Sequence, residues 1–206
     1  MKIVKASYII DCPEPPIEML RRIERAGRVC YKSEDRITDI SCISMIRSLI
    51  SAGHESVLEH GIISVKFITD RGILAELTRH RISSFSVEST RFCSYNKDKF
   101  GNEIIFIQPD FKLGEDDKFL LELIEQHYMK KLHMGLTPQQ ARYFLPNGLK
   151  TEIVMTCNLR EWRHVLKLRT SAKAHPQMRE LMVPLLQDFK DLIPIVFDDI
   201  ESRQYL

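Results

Sequence analysis

The sequence lacks a C-x-x-C pair, a long apolar run and a large net charge. Its five cysteines are widely spaced along 206 residues, which indicates neither a zinc ribbon nor a disulfide framework. The net charge is only +2, whereas nucleic-acid binding usually accompanies a clearly basic domain. No apolar stretch approaches the roughly 20 residues needed to cross a membrane. We therefore expect a protein of the reducing cytoplasm, with no metal, membrane or nucleic-acid partner.

Nothing in the composition divides the chain. The opening letters, MKIVKASYII, are too short and too interrupted by polar residues for a secretory signal peptide. The sequence has no repeats, low-complexity tracts or linkers, and 44% hydrophobic with 28% charged residues is an ordinary globular composition. A single domain over residues 1–206 is therefore predicted.

Hydrophobic periodicity of two kinds predicts an α+β fold. Apolar and polar residues alternate over residues 61–69 and 151–157, and the apolar stretches 3–10 and 104–108 predict two further strands.

Helical spacing predicts helices that end at Gly27 and Gly53, and a long helix over residues 118–134. Pro184 and Pro194 are expected to divide the C-terminal region into short helices.

The segment HESVLEH, residues 54–60, gathers two histidines and two glutamates. His54 and His60 are six residues apart and so lie on different faces of a helix, unlike the i,i+4 pair of a zinc-binding helix. A metal site is therefore not predicted. A polar helix start capped by Ser56 and a loop that faces a ligand both remain open.

The stretch from Glu76 to Tyr95 concentrates arginines beside hydroxyl residues. Its ordered pattern is R-H-R-x-x-S-x-x-x-x-S-x-R, formed by Arg79, His80, Arg81, Ser84, Ser89 and Arg91. Guanidinium groups next to hydroxyls are suited to binding phosphate. The alternative is a solvated basic patch with a weak attraction for nucleic acid.

A second unusual arginine lies near the C-terminal end of a predicted helix. Asn158 begins a capping-box pattern, and Trp162, Val165, Leu166 and Arg169 form the apolar stripe that follows. A buried guanidinium needs an anionic partner. That partner is either a carboxylate of the chain or a ligand, unless the arginine extends to solvent.

The arginine and serine pattern resembles the signature of the flavin-dependent thymidylate synthases. Further segments resemble the same family in the same order, so that the resemblance covers nearly the whole chain. These segments are CYKSED, GHESVLEH, ITDRG, STRFCSYNKDKFGNE, the region from Gln140 to Pro146, and the region from Asn158 to Arg169.

The resemblance implies a fold and an activity. The fold is an α+β protomer with an antiparallel sheet and flanking helices, assembled as a homotetramer whose active sites are shared between subunits. The activity is methylation of dUMP to dTMP, with 5,10-methylenetetrahydrofolate as the one-carbon donor and FAD reduced by NADPH as the hydride source.

The resemblance also assigns roles to residues. Arg169 would stabilise negative charge on the uracil imide and His54 would serve the folate and redox steps, which makes these two the predicted catalytic residues. The predicted FAD contacts are Ser56, Arg79, His80, Arg81, Glu88, Asn158, Arg160 and His164. The predicted dUMP contacts are Glu76, Arg79, Val87, Glu88, Ser89, Thr90, Arg91, Arg142 and Arg169.

Three positions depart from the family pattern. The acidic residue before Ser89 stands one place later than in the signature N-E-x-S, so either Glu88 or the Val87 backbone meets the flavin. Glu76 occupies a position where glutamine is frequent, and a carboxylate cannot donate as an amide does. His164 stands where some relatives carry asparagine, and both can hydrogen-bond flavin.

Other interpretations use the same residues differently. Cys93 is either a structural thiol or a nucleophile like that of the unrelated thymidylate synthase fold, and the sequence shows no base that would activate it. Ser89 is a phosphate contact or a nucleophile. At the level of the whole protein, the alternatives are a non-catalytic nucleotide- or RNA-binding module and a small oligomeric structural protein.

Overall fold

The computed structural model describes residues 1–202 and divides them into two compact units. The first unit comprises Met1–Ser7, Phe67–Arg79 and Phe85–Val154; the second comprises Tyr8–Lys66, His80–Ser84 and the chain from Met155 onward. Each unit is thus assembled from three separate stretches of sequence. The single domain expected over residues 1–206 stays a prediction.

The strands follow the predicted alternation closely. The 3–10 stretch forms two strands instead of one, and the other three predicted strands agree with the observed bounds within about one residue. The short strand at Ser84–Val87 was not predicted. The strands are β1 (Lys2–Val4), β2 (Ser7–Asp11), β3 (Ile62–Asp70), β4 (Ser84–Val87), β5 (Ile105–Ile107) and β6 (Lys150–Asn158).

Four of these strands form one sheet in the order β2-β3-β6-β4. β3 and β6 run antiparallel. The amide of Leu159 donates to the carbonyl of Gly61 at 2.9 Å, while that of Arg71 donates to the carbonyl of Asn147 at 2.9 Å. Residue numbers therefore rise along one strand as they fall along the other, which confirms the antiparallel sheet.

A small parallel pair was not anticipated. β1 pairs with β5 in a two-stranded sheet, with Ile3 opposite Phe106. The pair belongs to the first unit, and Phe106 lies in a core with Tyr95, Tyr128 and Leu149. The aromatic rings of Tyr95 and Tyr128 have their centroids 5.8 Å apart in that core.

The helices differ more from the prediction. The α-helices are α1 (Pro16–Val29), α2 (Ser41–Ser51), α3 (Arg71–Leu77), α4 (Glu115–His133), α5 (Pro138–Ala141), α6 (Leu159–Arg169), α7 (Pro176–Leu192) and α8 (Pro194–Phe197). Short 3-10 helices occupy Glu34–Arg36, Glu55–His60, Asp98–Phe100 and Arg142–Phe144. No described helix is long and apolar enough to cross a membrane.

Two helix predictions were wrong. Gly27 lies buried inside α1 and does not end it; a Cβ there would lie 2.6 Å from Cε of Met45, so the glycine permits close packing against α2. Pro184 lies exposed inside α7 and does not interrupt it. Buried Leu181 and Leu185 hold the helix on both sides of the proline, and this packing outweighs the missing hydrogen bond.

The core of the second unit surrounds α6. This helix packs against α7, α8 and the Glu55–His60 helix. Trp162 is fully buried, donates from Nε1 to the carbonyl of Ile63 at 3.0 Å and meets the ring of Phe189 edge-on at 5.2 Å. The backbone of α6 is therefore held in place by packing, and this fixes the positions from which the polar side chains of its exposed face extend.

Candidate functional site

The polar residues at the start of α6 are positioned by a helix cap. The Asn158 side chain accepts a hydrogen bond from the amide of Glu161 at 2.8 Å, as the capping pattern predicted. Arg160 is half-exposed and pairs with Glu59 on the Glu55–His60 helix, with Nη1 2.6 Å from Oε1. Asn158, Arg160 and His164 therefore project from one well-ordered segment of the second unit.

These three side chains line a common cavity of about 580 Å³. Its volume is within the usual range for small-molecule and cofactor sites. The lining is Glu55, Glu59, Ile82, Asn158, Arg160, Glu161, Arg163, His164 and Lys167. Glu55 and Glu59 are each paired with an arginine of α6, so their charges are largely compensated.

His80 links Arg169, at the end of α6, to Glu161 in the first turn of the same helix. The Nε group of Arg169 donates to Nε2 of His80 at 3.0 Å, and Nδ1 of His80 lies 3.5 Å from Oε1 of Glu161. Burial, together with electrostatic interaction with Arg169 and His164, lowers the pKa of His80 to about 4. His80 is therefore neutral at pH 7 and accepts from Arg169 through Nε2, which leaves its proton on Nδ1, facing Glu161.

This tautomer argues against a metal at the same place. His80, Glu161 and His164 present ligand atoms within 4.8 Å of one another. A metal held between them would need the lone pair of His80 to face Glu161, but the proton occupies that side. The neighbouring Arg169 adds a positive charge that would repel a cation. We therefore read the three side chains as a cluster of neighbouring polar groups that binds no metal.

The buried arginine of α6 is Arg163, and Arg169 is only half-buried. Arg163 is 1% exposed and contacts Glu55 at 3.0 Å, Asp199 at 2.6 Å and the carbonyl of Val196. The Arg163 guanidinium holds the pKa of the Asp199 carboxyl below its usual range. Arg163 thus makes an intramolecular ion pair of the kind considered for Arg169, and the apolar stripe did not indicate it.

A second group of predicted residues lies in the first unit, after β4. The Oγ of Ser89 accepts from the amide of Arg91 at 3.3 Å, and the Ser89 carbonyl accepts from the amide of Cys93 at 2.8 Å. Arg142 donates from Nη1 to Oγ1 of the buried Thr90 at 3.2 Å. Three of the predicted phosphate contacts, Ser89, Thr90 and Arg91, therefore belong to one tight turn. The fourth, Arg142, contacts this turn through Thr90.

Glu88 anchors this turn. One carboxylate oxygen accepts from the hydroxyl of Tyr95 at 2.9 Å, and the other pairs with Lys150 at 3.0 Å. Lys150 also contacts Glu152 at 2.6 Å, and the amide of Glu88 donates to the Glu152 carbonyl at 2.9 Å. Both oxygens of the Glu88 carboxylate already have a partner within the protein, which favours the Val87 backbone, on an exposed residue, for a flavin contact.

Arg91 points to a separate cavity of the first unit. Its guanidinium lies 5.1 Å from the ring centre of Phe92. The cavity measures about 460 Å³ and is lined by Arg91, Phe92, Ser94, Lys97, Thr137, Pro138 and Gln139. Arg91 and Lys97 give it a positive character.

The remaining predicted residues lie at the surface. Exposed ones are His54, Ser56, Arg79, Arg81 and Val87, and Glu76 is partly exposed in the last turn of α3. Ser56 does not cap the Glu55–His60 helix, whose N-cap position is His54 and has no side-chain cap bond. The helix-cap interpretation of Ser56 is therefore wrong.

The thiols give no sign of a nucleophile. All five cysteines are free, and Cys93 is partly buried. Burial raises the pKa of the Cys157 thiol to about 12, which leaves it protonated and unreactive.

Comparison with known proteins matches most of the chain to one family. A family model described as thymidylate synthase complementing protein matches residues 17–195. The chain is 34% identical over 201 residues to a probable flavin-dependent thymidylate synthase of Mycobacterium phage L5, covering 88% of this chain and 81% of the relative. It is 28% identical to the flavin-dependent thymidylate synthase of Geobacter sulfurreducens, covering 97% of this chain and 86% of the relative.

Solved structures share the fold. Thymidylate synthase X from Helicobacter pylori, solved with FAD and dUMP, has a TM-score of 0.74 at 22% identity over 95% of this chain and all of that one. The UMP/dUMP methylase PolB from Streptomyces cacaoi, bound with 5-Br dUMP, has a TM-score of 0.73 at 24% identity and covers 96% of both chains. With a family match over most of its length, the chain belongs to the flavin-dependent thymidylate synthases.

Proposed function

We propose that the protein methylates dUMP to dTMP, with 5,10-methylenetetrahydrofolate as the one-carbon donor and NADPH as the reductant of bound FAD. The observation that carries the proposal is the pairing of Arg169 with a neutral His80 in a chain of this family. Because His80 is neutral, this contact orients the guanidinium without cancelling its positive charge. The RNA-binding alternative has no comparable observation in its favour.

Arg169 supplies the electrostatic part of the reaction. Methylation needs carbon 5 of the uracil to become nucleophilic, and negative charge then develops on the imide. Nε of Arg169 donates to His80, and this contact orients the planar group whose charge we propose acts on the pyrimidine. A fixed positive charge there stabilises the transition state without reorganisation.

Ser89, Thr90, Arg91 and Arg142 are proposed to hold the dUMP phosphate. The hydroxyls of Ser89 and Thr90 belong to one turn and can donate to a phosphate, and the guanidinium groups of Arg91 and Arg142 neutralise a dianion. Glu88 fixes the turn through Tyr95 and Lys150.

The cavity along α6 suits part of a flavin. Asn158, Arg160, His164 and Lys167 offer donors to carbonyl and anionic groups, and Glu55 and Glu59 beside them are ion-paired. Bound FAD would supply the hydride once NADPH has reduced it. Arg79, Arg81, Ser56 and the Val87 backbone are proposed as further flavin contacts. Glu76, Glu88 and His80 are also still proposed to lie near the flavin or the nucleotide.

The assembly is proposed to be a homotetramer with shared active sites, located in the cytoplasm. Several large apolar side chains are well exposed, among them Tyr31, Phe92 and Tyr143, and contact between subunits would cover such surfaces. His54, exposed on its loop, is proposed to act in the folate and redox steps.

The test begins with the visible absorbance of the purified protein. A flavin band should bleach when NADPH is added anaerobically with dUMP, and dTMP should form once methylenetetrahydrofolate follows. A colourless protein that takes up no added FAD would contradict the proposal.

Arg169→Ala tests the residue assignment. This variant should keep its FAD content and lose dTMP formation, because the charge that stabilises the uracil imide is gone. Turnover like that of the wild type would refute the role of Arg169.

A further inference from the structure

Arg169 is held by a chain of two buried side chains that reaches back to the first turn of its own helix. Nε of Arg169 donates to Nε2 of His80 at 3.0 Å, and Nδ1 of His80 lies 3.5 Å from Oε1 of Glu161. His80 is 5% exposed and Glu161 is 8% exposed. Both are therefore shielded from the water that would otherwise compete for these contacts.

Each link in this chain has a direction. Arginine only donates, so the nitrogen of His80 that it contacts must carry a lone pair. The proton of the neutral imidazole then sits on Nδ1, where the carboxylate of Glu161 favours it electrostatically. Without that carboxylate, the proton could move to Nε2 and meet the N–H of Arg169 head-on.

The backbone also fixes Glu161. Its amide is held by the side chain of Asn158 at 2.8 Å, and its neighbour Trp162 is fully buried. The carboxylate therefore has little freedom to leave His80.

We propose that Glu161 is a positioning residue for the methylation: it holds the proton of His80 on Nδ1 and so stabilises the tautomer that accepts from Arg169 and orients its guanidinium toward the pyrimidine. The inference rests on the proposed function of Arg169. It assigns Glu161 a role that does not require contact with dUMP or FAD.

Glu161→Leu is the main test, because it removes the carboxylate from a buried site at similar volume. It should lower kcat about 10- to 100-fold, the usual loss for a misplaced catalytic group, with FAD content retained and a smaller change in the Kd of dUMP. Glu161→Gln should lose less, because the amide oxygen can still accept from Nδ1. Wild-type kcat in the leucine variant would overturn the proposal.

A second background separates positioning from general damage. His80→Gln has no tautomer to stabilise, although its oxygen can still accept from Arg169. Adding Glu161→Leu to it should lower kcat no further. An equal additional loss in both backgrounds would mean that Glu161 acts only on the fold, and would overturn the proposal.

Nitrogen-15 spectra of labelled histidine give a readout independent of activity. The His80 signals, assigned through His80→Gln, should show an unprotonated Nε2 in the wild type and a mixture of tautomers in Glu161→Leu. An unchanged tautomer in that variant would contradict the mechanism.

Glu24→Gln is the matched control. Glu24 is also a buried helical glutamate of the second unit, 1% exposed and paired with Arg28, but it belongs to α1. It should keep kcat near the wild-type value, and a loss as large as that of Glu161→Leu would overturn the proposal. If Arg169→Ala itself turns over normally, the proposed function of Arg169 fails first, whatever Glu161 does.

Discussion

Replacing His80 with glutamine should remove part of the acid sensitivity of the fold. The pKa of His80 falls from its ordinary value of 6.5 to about 4 because the ring is buried beside Arg169 and His164. Between these values the unfolded chain binds a proton that the folded chain does not, so the free energy of unfolding decreases as the pH falls. Above pH 7 the group contributes no pH dependence.

The magnitude follows from the two pKa values. Their difference corresponds to about 3 kcal/mol once the pH has passed below 4. About 2 kcal/mol of this is already lost at pH 5, because the unfolded imidazole is almost fully protonated there and the folded one is mostly neutral. Glutamine cannot titrate, but its oxygen can accept from Arg169.

Urea unfolding at pH 7.5 and pH 5.0 provides the measurement. The single tryptophan, Trp162, is fully buried in the same unit and reports unfolding by fluorescence. The loss of unfolding free energy between the two pH values should be about 2 kcal/mol smaller in His80→Gln than in the wild type, at equal protein concentration.

The exposed His133 at the end of α4 supplies the control. His133→Gln should leave the acid-dependent loss unchanged. If His80→Gln and the wild type lose the same free energy between pH 7.5 and 5.0, the burial argument for a neutral His80 is wrong.

Three further substitutions test other parts of the structure. Arg91→Ala should weaken binding of dUMP far more than of deoxyuridine in calorimetric titrations, and an equal loss for both would refute the phosphate role. Tyr95→Phe should lower the free energy of unfolding by about 2 kcal/mol, since it removes a buried hydrogen bond to the carboxylate of Glu88; a change under about 0.5 kcal/mol in urea unfolding would refute the anchoring of the turn. Asn158→Ala should cost about 1 kcal/mol, because it deletes the cap on the amide of Glu161; a thermal midpoint equal to that of the wild type would contradict this.

The strands were predictable because their signal is local. β3 and β6 each bury every second residue along most of their length, and a period of two sustained over a whole strand is typical of a half-buried strand and of no helix. The cap at Asn158 was predictable for the same reason, since both partners lie within four residues. The type and the bounds of an element could be predicted wherever the contacts that determine them join residues close together in the sequence.

The helix predictions were wrong where contacts between distant residues determine the length of the helix. Gly27 looks like a helix end, but the close approach of Met45 on α2 explains it. Pro184 looks like a helix break, yet the packing of Leu181 and Leu185 carries α7 through it. A glycine or proline can end a helix, or it can lie inside a helix where tertiary packing holds it. The local sequence does not distinguish these roles.

The two arginines of α6 show the same limit at the candidate site. Periodicity placed Arg169 in the buried stripe, but the helix ends there, and its last turn is only half-covered. Arg163 is buried because Glu55 and Asp199, 108 and 36 residues away, surround it. No window of the sequence brings those carboxylates together with it.

The arginine-histidine-arginine triplet illustrates what the motif alone did not resolve. All three residues were predicted to contact flavin. Arg79 and Arg81 are exposed, whereas His80 between them is buried and faces Arg169. A triplet of this kind therefore offers two cations to a ligand and one neutral acceptor to the protein interior. A lysine or arginine in the middle would place a third positive charge against Arg169, and an apolar residue would leave its Nε without this acceptor. Histidine satisfies both requirements because burial keeps it neutral, and the same burial makes the site sensitive to acid.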